Sequence, residues 1–379
     1  MPNRKENPLP KVAVLEEING PLTLQDFPEP RPSPGGAIVE VALGGICGTD
    51  VHLRTGHLNV PLPLAMGHEA VGWIRKLGDD LTTDVEGQPL AVGDRVAWAN
   101  NIPCGSCHEC LVLKEPTLCL NRKIYGINRR ASDAPHLQGG WAEMMALEAG
   151  TTIIKIPESV SFEEVITLGC AGPTAIHGVV ENLRIEPGSV VAVQGAGPVG
   201  LASAMYAKAM GAALVVILGG PTSRIEMALQ IAAADAGVDM DAYPTASERL
   251  DAFLKLTPNG RGADVVIECA GVPSAVAESI DLARPNGQLL VLGQYTDHGA
   301  TPINPHLITR KQLKMFGSWG FAPAHYVKYI KSLPLLAKNH DLASILSVYP
   351  LHDVNDALAD VASGSVTKAA LRPDSKNKA

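Results

Sequence analysis

Four apolar residues, Val190 to Val193, run directly into Gln194-Gly195-Ala196-Gly197-Pro198-Val199-Gly200. A strand that ends in G-x-G-x-x-G and gives way to a helix has a physical use for each glycine. Gly195 permits the tight turn, Gly197 lets the backbone approach a pyrophosphate, and Gly200 lets the helix pack on the strand. Pro198 and Val199 open that helix, whose N-terminus offers its positive dipole end. The eighteen residues Val190 to Ala207 carry no charge, as a membrane span would. Their glycines and proline break the run, so it reads as a buried parallel strand and the start of a helix.

Strands and helices alternate after this loop. Strands are expected at Val190 to Gln194, Leu214 to Leu218, Asp264 to Glu268 and Gln288 to Gly293, with others near Val238 and at Leu313 to Gly317. Helices are expected to start near Pro198, Arg224, Ser247 and Ser274. Six such strands predict an α/β fold, a doubly wound parallel sheet of the Rossmann kind. In that fold an acidic residue about 20 positions after the loop, at the end of the second strand, holds the adenosine ribose. Here Gly219 stands at that place, followed by Gly220-Pro221-Thr222-Ser223-Arg224. Nothing in this loop repels a 2′-phosphate, and Arg224, Ser223 or Thr222 could contact one. Arg224 could equally lie on adenine or sit solvated at a helix start. NAD(H) and NADP(H) both remain open.

With 379 residues the chain has room for two cores. The first 160 residues give short β-rich runs at Lys11 to Leu15, Ala37 to Leu43, Glu69 to Leu77 and Asp94 to Ala99, with Gly- and Pro-rich joints between them. Ser161 and Glu164 form a capping box ahead of a helical segment expected to run towards Leu183. The expected division is 171–317 for the dinucleotide-binding domain, with 1–170 and 318–379 forming the other.

Four of the seven cysteines crowd into Cys104-x2-Cys107-x2-Cys110-x8-Cys119. Four thiolates close a tetrahedral shell around zinc without water, which makes such a site structural, in a lobe over about 100–122. Disulfides or an iron site are the competing readings, and a nucleic-acid zinc module would need basic, aromatic-interleaved surroundings where Glu109, Glu115 and Pro116 stand. The net charge of -8 offers no field for phosphate backbones or anionic lipid, so neither nucleic acid nor membrane is an expected partner. The opening MPNRKENPLP has basic residues but no apolar run, so the expectation is a cytoplasmic protein without signal or anchor. Cys47, His68 with Glu69, and Cys170 are scattered and individually bland, yet one His and two Cys would make a three-ligand zinc site with an open fourth position.

The ordered pieces G-I-C-G-T-D-V-H at 45–52, G-H-E at 67–69, the four-cysteine lobe, G-A-G-P-V-G at 195–200 and ADVVIECAG at 263–271 resemble the zinc-dependent alcohol dehydrogenases of the medium-chain dehydrogenase/reductase superfamily. The resemblance covers nearly the whole length. It implies a β-rich GroES-like catalytic domain beside the Rossmann domain, two zinc ions per chain and an NAD(P)-linked interconversion of an alcohol, more often secondary, with its ketone or aldehyde; the apolar Leu58, Val60 and Leu62 point to a hydrophobic or cyclic alcohol. By resemblance Cys47, His68 and Cys170 hold the catalytic zinc, Glu69 is an alternate ligand, and Asp50 orients His68. Thr49 and His52 fall at the family's proton relay, which runs through Thr49 and the cofactor ribose to His52. Lys368 falls where a basic residue lies near the pyrophosphate, with a solvated lysine as the other reading. A homodimer or homotetramer is implied. The gap before Cys119 is eight residues where the family has seven, which predicts a bulged lobe turn. A zinc-free quinone or enone reductase, or a non-catalytic zinc-bearing protein on the same fold, are the alternatives.

Overall fold

A computed structural model describes residues 9–373; the basic opening residues, on which the expectation about a signal falls, and the last six residues lie outside the described residues. The chain divides into two compact units, Met1–Gly169 with Leu346–Ala379, and Cys170–Ile345.

In the second unit the apolar runs form a six-stranded sheet in the order Ala236–Asp239, Leu214–Gly219, Val190–Gln194, Ala263–Glu268, Ala283–Val291, Lys314–Gly317. Every pairing is parallel. Strand order therefore reverses beside Val190–Gln194, whose carboxyl end carries the glycine loop, and ligands of such sheets bind at that switch point. Val190, Ala192, Val216, Val266, Leu289 and Phe253 bury one face. Helices Pro198–Ala209, Thr222–Gln230, Ala246–Leu256 and Pro273–Leu282 occupy the expected intervals. The uncharged stretch is thus a core strand and a helix, and no helix among the described residues is long and apolar enough to cross a membrane.

The first unit is β-rich. Its largest sheet runs Ile153–Lys155, Arg95–Trp98, Glu69–Leu77, Ala37–Ile46, Lys368–Arg372, Leu346–Pro350, with Met144–Leu147 also on Ala37–Ile46. A second sheet joins Leu22–Asp26, Lys11–Leu15 and Leu64–Ala65. The C-terminal segment adds Leu351, Leu358, Ala369 and Leu371 to a core with Leu15, Ile46, Leu53 and Trp141.

The structure departs from the sequence reading in three places. The segment after Ser161 is not one helix. Its capping box forms, with Ser161 Oγ accepting from Glu164 N–H at 3.1 Å, but helix Phe162–Thr167 stops, and Ala171–Ala175 resumes after a break that turns at Gly169. A side chain at Gly169 would meet Glu69 Oε2 at 2.8 Å, so the chain passes a buried carboxylate there and cannot keep its helical path. The strand expected to begin at Gln288 begins at Ala283. Finally, the return to the first unit occurs at Leu346 rather than Ser318. Helix Pro323–Asn339 buries Tyr326, Tyr329, Ile330, Leu333 and Leu336, and the Tyr329 ring fills the space that Gly172 leaves, 2.3 Å from where a Cβ would stand. Amphipathicity predicts that such a face is covered, not which core covers it.

Candidate active site

Sheet register assembles the scattered zinc candidates. Ala37–Ile46 pairs antiparallel with Glu69–Leu77, placing Gly45 opposite Glu69, and with Lys368–Arg372, placing Ile46 opposite Ala369. Cys47, Glu69 and Lys368 therefore meet at one end of the sheet. Gly45 must be glycine, because its Cβ would lie 2.7 Å from Glu69 Oε2. Cys170 follows Gly169, the last residue of the first unit, which itself lies against Glu69. Peptide continuity thus delivers its thiol. One ligand atom from each of Cys47, His68, Glu69 and Cys170 lies within 4.8 Å of the others.

Asp50 serves both the helix and the ring. It is the third residue of helix Gly48–Arg54, and its Oδ2 accepts the Cys47 N–H at 2.8 Å as the helix cap. Its Oδ1 lies 2.9 Å from His68 Nδ1. A carboxylate only accepts, so Nδ1 carries a proton, and Nε2 is the nitrogen left for a metal, which would take the place of the proton there. Burial pushes the His68 pKa down, but the charge and hydrogen bond of Asp50 outweigh it and hold the ring well above its usual value. Nε2 of His68 and Oε1 of Glu69 are both buried without a hydrogen-bond partner. Buried polar atoms are rarely left so unless an ion satisfies them. A lone pair on imidazole, a carboxylate oxygen and two thiols match the donor set of zinc, so these residues fit the metal.

Lys368 is where sequence reasoning fell short. Its Nζ lies 2.7 Å from Glu69 Oε2, and both side chains are 2% exposed. The solvated reading is thereby excluded. Burial raises the Glu69 carboxyl above the ordinary range against the opposing pull of this ammonium. Thr49 Oγ1 stands 3.8 Å from Cys47 Sγ, and His52 lies on the same short helix. Leu58, Val60 and Leu62 pack against the core around Leu53 and Leu64, so they serve that core as well as any substrate.

The cysteine lobe explains its long gap. Residues Glu109–Leu113 form a single π-helical turn, and Lys114 follows in the left-handed region (φ 57°, ψ 32°). A π turn absorbs one residue more than an α turn, which is the expected bulge. The four thiols lie within 4.8 Å of one another. The Cys104 N–H donates to Cys119 Sγ at 3.4 Å, and the Ser106 N–H and hydroxyl beside Cys104 lower its thiol pKa to about 6, which favours the ligating thiolate.

In the glycine loop, Gly195 has φ +100° and its N–H donates to Leu218 O at 2.7 Å. A Cβ on Gly200 would stand 1.8 Å from Gly195 O, whereas one on Gly197, the helix cap, would meet nothing within 4 Å. The space over Gly197 is a cradle that a side chain would fill, as a pyrophosphate site requires. We therefore expect Gly197→Ala to leave the melting temperature unchanged and to weaken NADH binding at least tenfold, about 1.4 kcal/mol, read by fluorescence titration. The loop after Gly219 is not free of negative charge, contrary to the sequence reading. Asp239, opposite Gly219 in the ladder, accepts from Thr222 Oγ1 at 2.6 Å, and Asp241 Oδ2 lies 3.5 Å from the same hydroxyl. These carboxylates arrive from the next strand, which is why the loop alone did not reveal them. Arg224 is half-buried in the first turn of helix Thr222–Gln230, and burial lowers its pKa.

Known proteins resemble this chain over most of its length. The model for the alcohol dehydrogenase GroES-like domain matches residues 33–158, and that for zinc-binding dehydrogenases matches 198–337. A 5-exo-hydroxycamphor dehydrogenase of Pseudomonas putida is 33% identical over 365 residues, covering 95% of this chain and 98% of that one. D-arabinitol dehydrogenase 1 of Uromyces fabae is 31% identical over 343 residues, covering 89% and 90%. The crystal structure of an alcohol dehydrogenase from Thermotoga maritima superposes with a TM-score of 0.90 at 33% identity, covering 96% of this chain and 99% of that one.

Proposed function

The chain belongs to the zinc-dependent alcohol dehydrogenase family of the medium-chain dehydrogenase/reductases, and on that premise we propose the roles of its residues and the class of its substrate. It is an oxidoreductase that interconverts an alcohol and its carbonyl compound with NAD(P) and zinc. In our reading Cys47, His68 and Cys170 hold the catalytic zinc, and Cys104, Cys107, Cys110 and Cys119 the structural one. The observation that carries this is that His68 Nε2 and Glu69 Oε1, 3.8 Å apart, are both buried without a hydrogen bond and share a cluster with two thiols.

When bound, zinc supplies a Lewis acid that lowers the pKa of an alcohol, and nicotinamide supplies the hydride acceptor. Asp50 keeps the His68 tautomer that can ligate. Thr49 Oγ1 takes the proton of the substrate hydroxyl, and His52 carries it outward. Lys368 neutralises Glu69, so that Glu69 can stay ionised as an alternate ligand in a dry pocket. Gly195, Gly197, Pro198, Val199 and Gly200 cradle the pyrophosphate. Asp239 beside Gly219 disfavours a 2′-phosphate, so the preferred cofactor in this reading is NAD(H), with Arg224 beneath the adenosine end. The substrate is a secondary, cyclic, largely apolar alcohol, in line with the 33% likeness to a hydroxycamphor dehydrogenase. The reading includes a homodimer or homotetramer in the cytoplasm.

Fluorescence titration with NADH and with NADPH, followed by a panel of bicyclic alcohols and pentitols, tests it. Tighter NADH binding and turnover of the bicyclic alcohols are expected. Binding of neither nucleotide would overturn the cofactor assignment, and turnover of pentitols alone would replace the substrate class with polyols.

A further inference from the structure

The short helix that carries Thr49 and His52 ends in a way that recruits a second imidazole. Gly56 (φ +79°) follows the C-cap Thr55. The His57 N–H donates to His52 O at 3.0 Å, and the Gly56 N–H to Leu53 O at 3.2 Å. This double bond pattern is a Schellman motif, in which the residue after the left-handed glycine folds back on the residue one turn inside the helix. Those two positions usually hold an apolar pair. Here they hold His52 and His57, whose Nδ1 atoms are 3.2 Å apart, with ring centroids 5.4 Å apart and tilted by 50°.

An Nδ1–Nδ1 contact at that distance has room for one proton. Two would set N–H against N–H, and none would set lone pair against lone pair. Protonation of one ring therefore dictates what the other can do. His52 is half-buried and His57 exposed, so the line between them leads from the helix interior to water. Thr55 Oγ1 lies 2.9 Å from Val51 O and 3.2 Å from His57 Nδ1, so its one hydroxyl proton can turn to Nδ1 while that nitrogen is unprotonated and back to Val51 O once it is protonated. The charged groups on the elements packed at this helix include Arg54, whose Nε donates to Gly20 O, Glu16 and Glu17 of the adjoining turn, where Glu16 already accepts from Gln25, and Asp356 and Asp360 of helix Val354–Ser363, where Asp360 accepts from the Tyr349 hydroxyl.

We propose that His57 is the outer member of a proton-sharing pair with His52 and delivers the proton of alcohol oxidation to solvent. This rests on the relay role read for Thr49 and His52. A proton arriving at His52 Nε2 makes an imidazolium. The His52 Nδ1–H bond then breaks as the His57 Nδ1–H bond forms, and His57 releases its Nε2 proton to water. One proton enters, one leaves and no electrons move. In carbonyl reduction the same steps run backwards.

The test compares the full-length zinc-loaded protein with His57→Leu, which restores the apolar contact the motif ordinarily carries and so keeps the turn, and with His52→Leu. Ring-proton NMR of ¹³C-histidine-labelled protein across pH 5–9 reads the pair directly. The two rings of the parent are expected to titrate in linked steps, the second proton binding at least about one pH unit below the first. In His57→Leu, His52 should return to a single ordinary curve. A His52 curve that is the same with and without His57 would overturn the pair. In the kinetic arm, on the best alcohol of the panel, His57→Leu should slow oxidation about tenfold near pH 7, a part of what general acid–base catalysis supplies. The loss should fade as pH rises and leave the NADH affinity unchanged. If His52→Leu slows oxidation and His57→Leu does not, this proposal fails alone. If His52→Leu has no effect, the relay reading fails and takes the proposal with it.

Discussion

A Cys47→Ser variant is expected to hold one zinc per chain instead of two and to lose alcohol oxidation by more than the about 10–100-fold that disturbing an outer partner of a metal ligand costs. The thiol is one of four ligand groups gathered within 4.8 Å, and a hydroxyl is a poor replacement for a thiolate on zinc. Little else should change. The Cys47 N–H still donates to Asp50, so the helix cap survives, and the lobe thiols belong to a separate cluster. Metal analysis with circular dichroism checks both halves of this expectation. A variant with two zinc ions and full turnover would remove Cys47 from the catalytic site.

The second large effect is expected on stability. Lys368→Met should destabilise the protein by about 3–5 kcal/mol, because it leaves the Glu69 carboxylate buried and uncompensated. The paired atoms are 2.7 Å apart and nearly inaccessible to water. Replacing both members, Lys368→Met with Glu69→Leu, should recover most of the loss, since apolar side chains of similar volume avoid the desolvation cost that the ions carry. Denaturant unfolding of the two variants and the parent measures the difference. Equal stability of the single variant and the parent would mean that the pair is not buried as described.

Most of the framework could be read along the chain because its causes are local. Four-residue apolar runs made the parallel strands, Ser161 and Glu164 made their capping box, and cysteine spacing made the lobe, including the extra residue now found in a π turn. Residue type alone raised Cys47, His68 and Cys170 as a possible three-ligand set, and the resemblance supplied the roles proposed for them and for Thr49 and His52; their proximity comes from strand register and chain continuity, not from any short period. What stayed hidden depends on partners far away in sequence. The Glu69–Lys368 pair spans 299 positions. Asp239 reaches the Gly219 loop from the next strand. Helix Pro323–Asn339 shows an apolar face without saying which unit owns it. The break at Leu168 follows from a carboxylate that no inspection of 161–183 would place there.

Strand Lys368–Arg372 lies inside the largest sheet of the first unit, between Ala37–Ile46 and Leu346–Pro350, although the intervening Cys170–Ile345 forms a unit of its own. During synthesis the nucleotide-binding unit emerges complete while its neighbour still lacks a central strand, part of its core and the only lysine described beside Glu69. Domains fold as units in the order they leave the ribosome. The nascent first unit must therefore wait, with the Gly44–Ile46 end of its strand unpaired on one edge, until Lys368–Arg372 arrives. The ammonium that accompanies the buried Glu69 carboxyl is thus supplied only by residues made after the whole of the second unit.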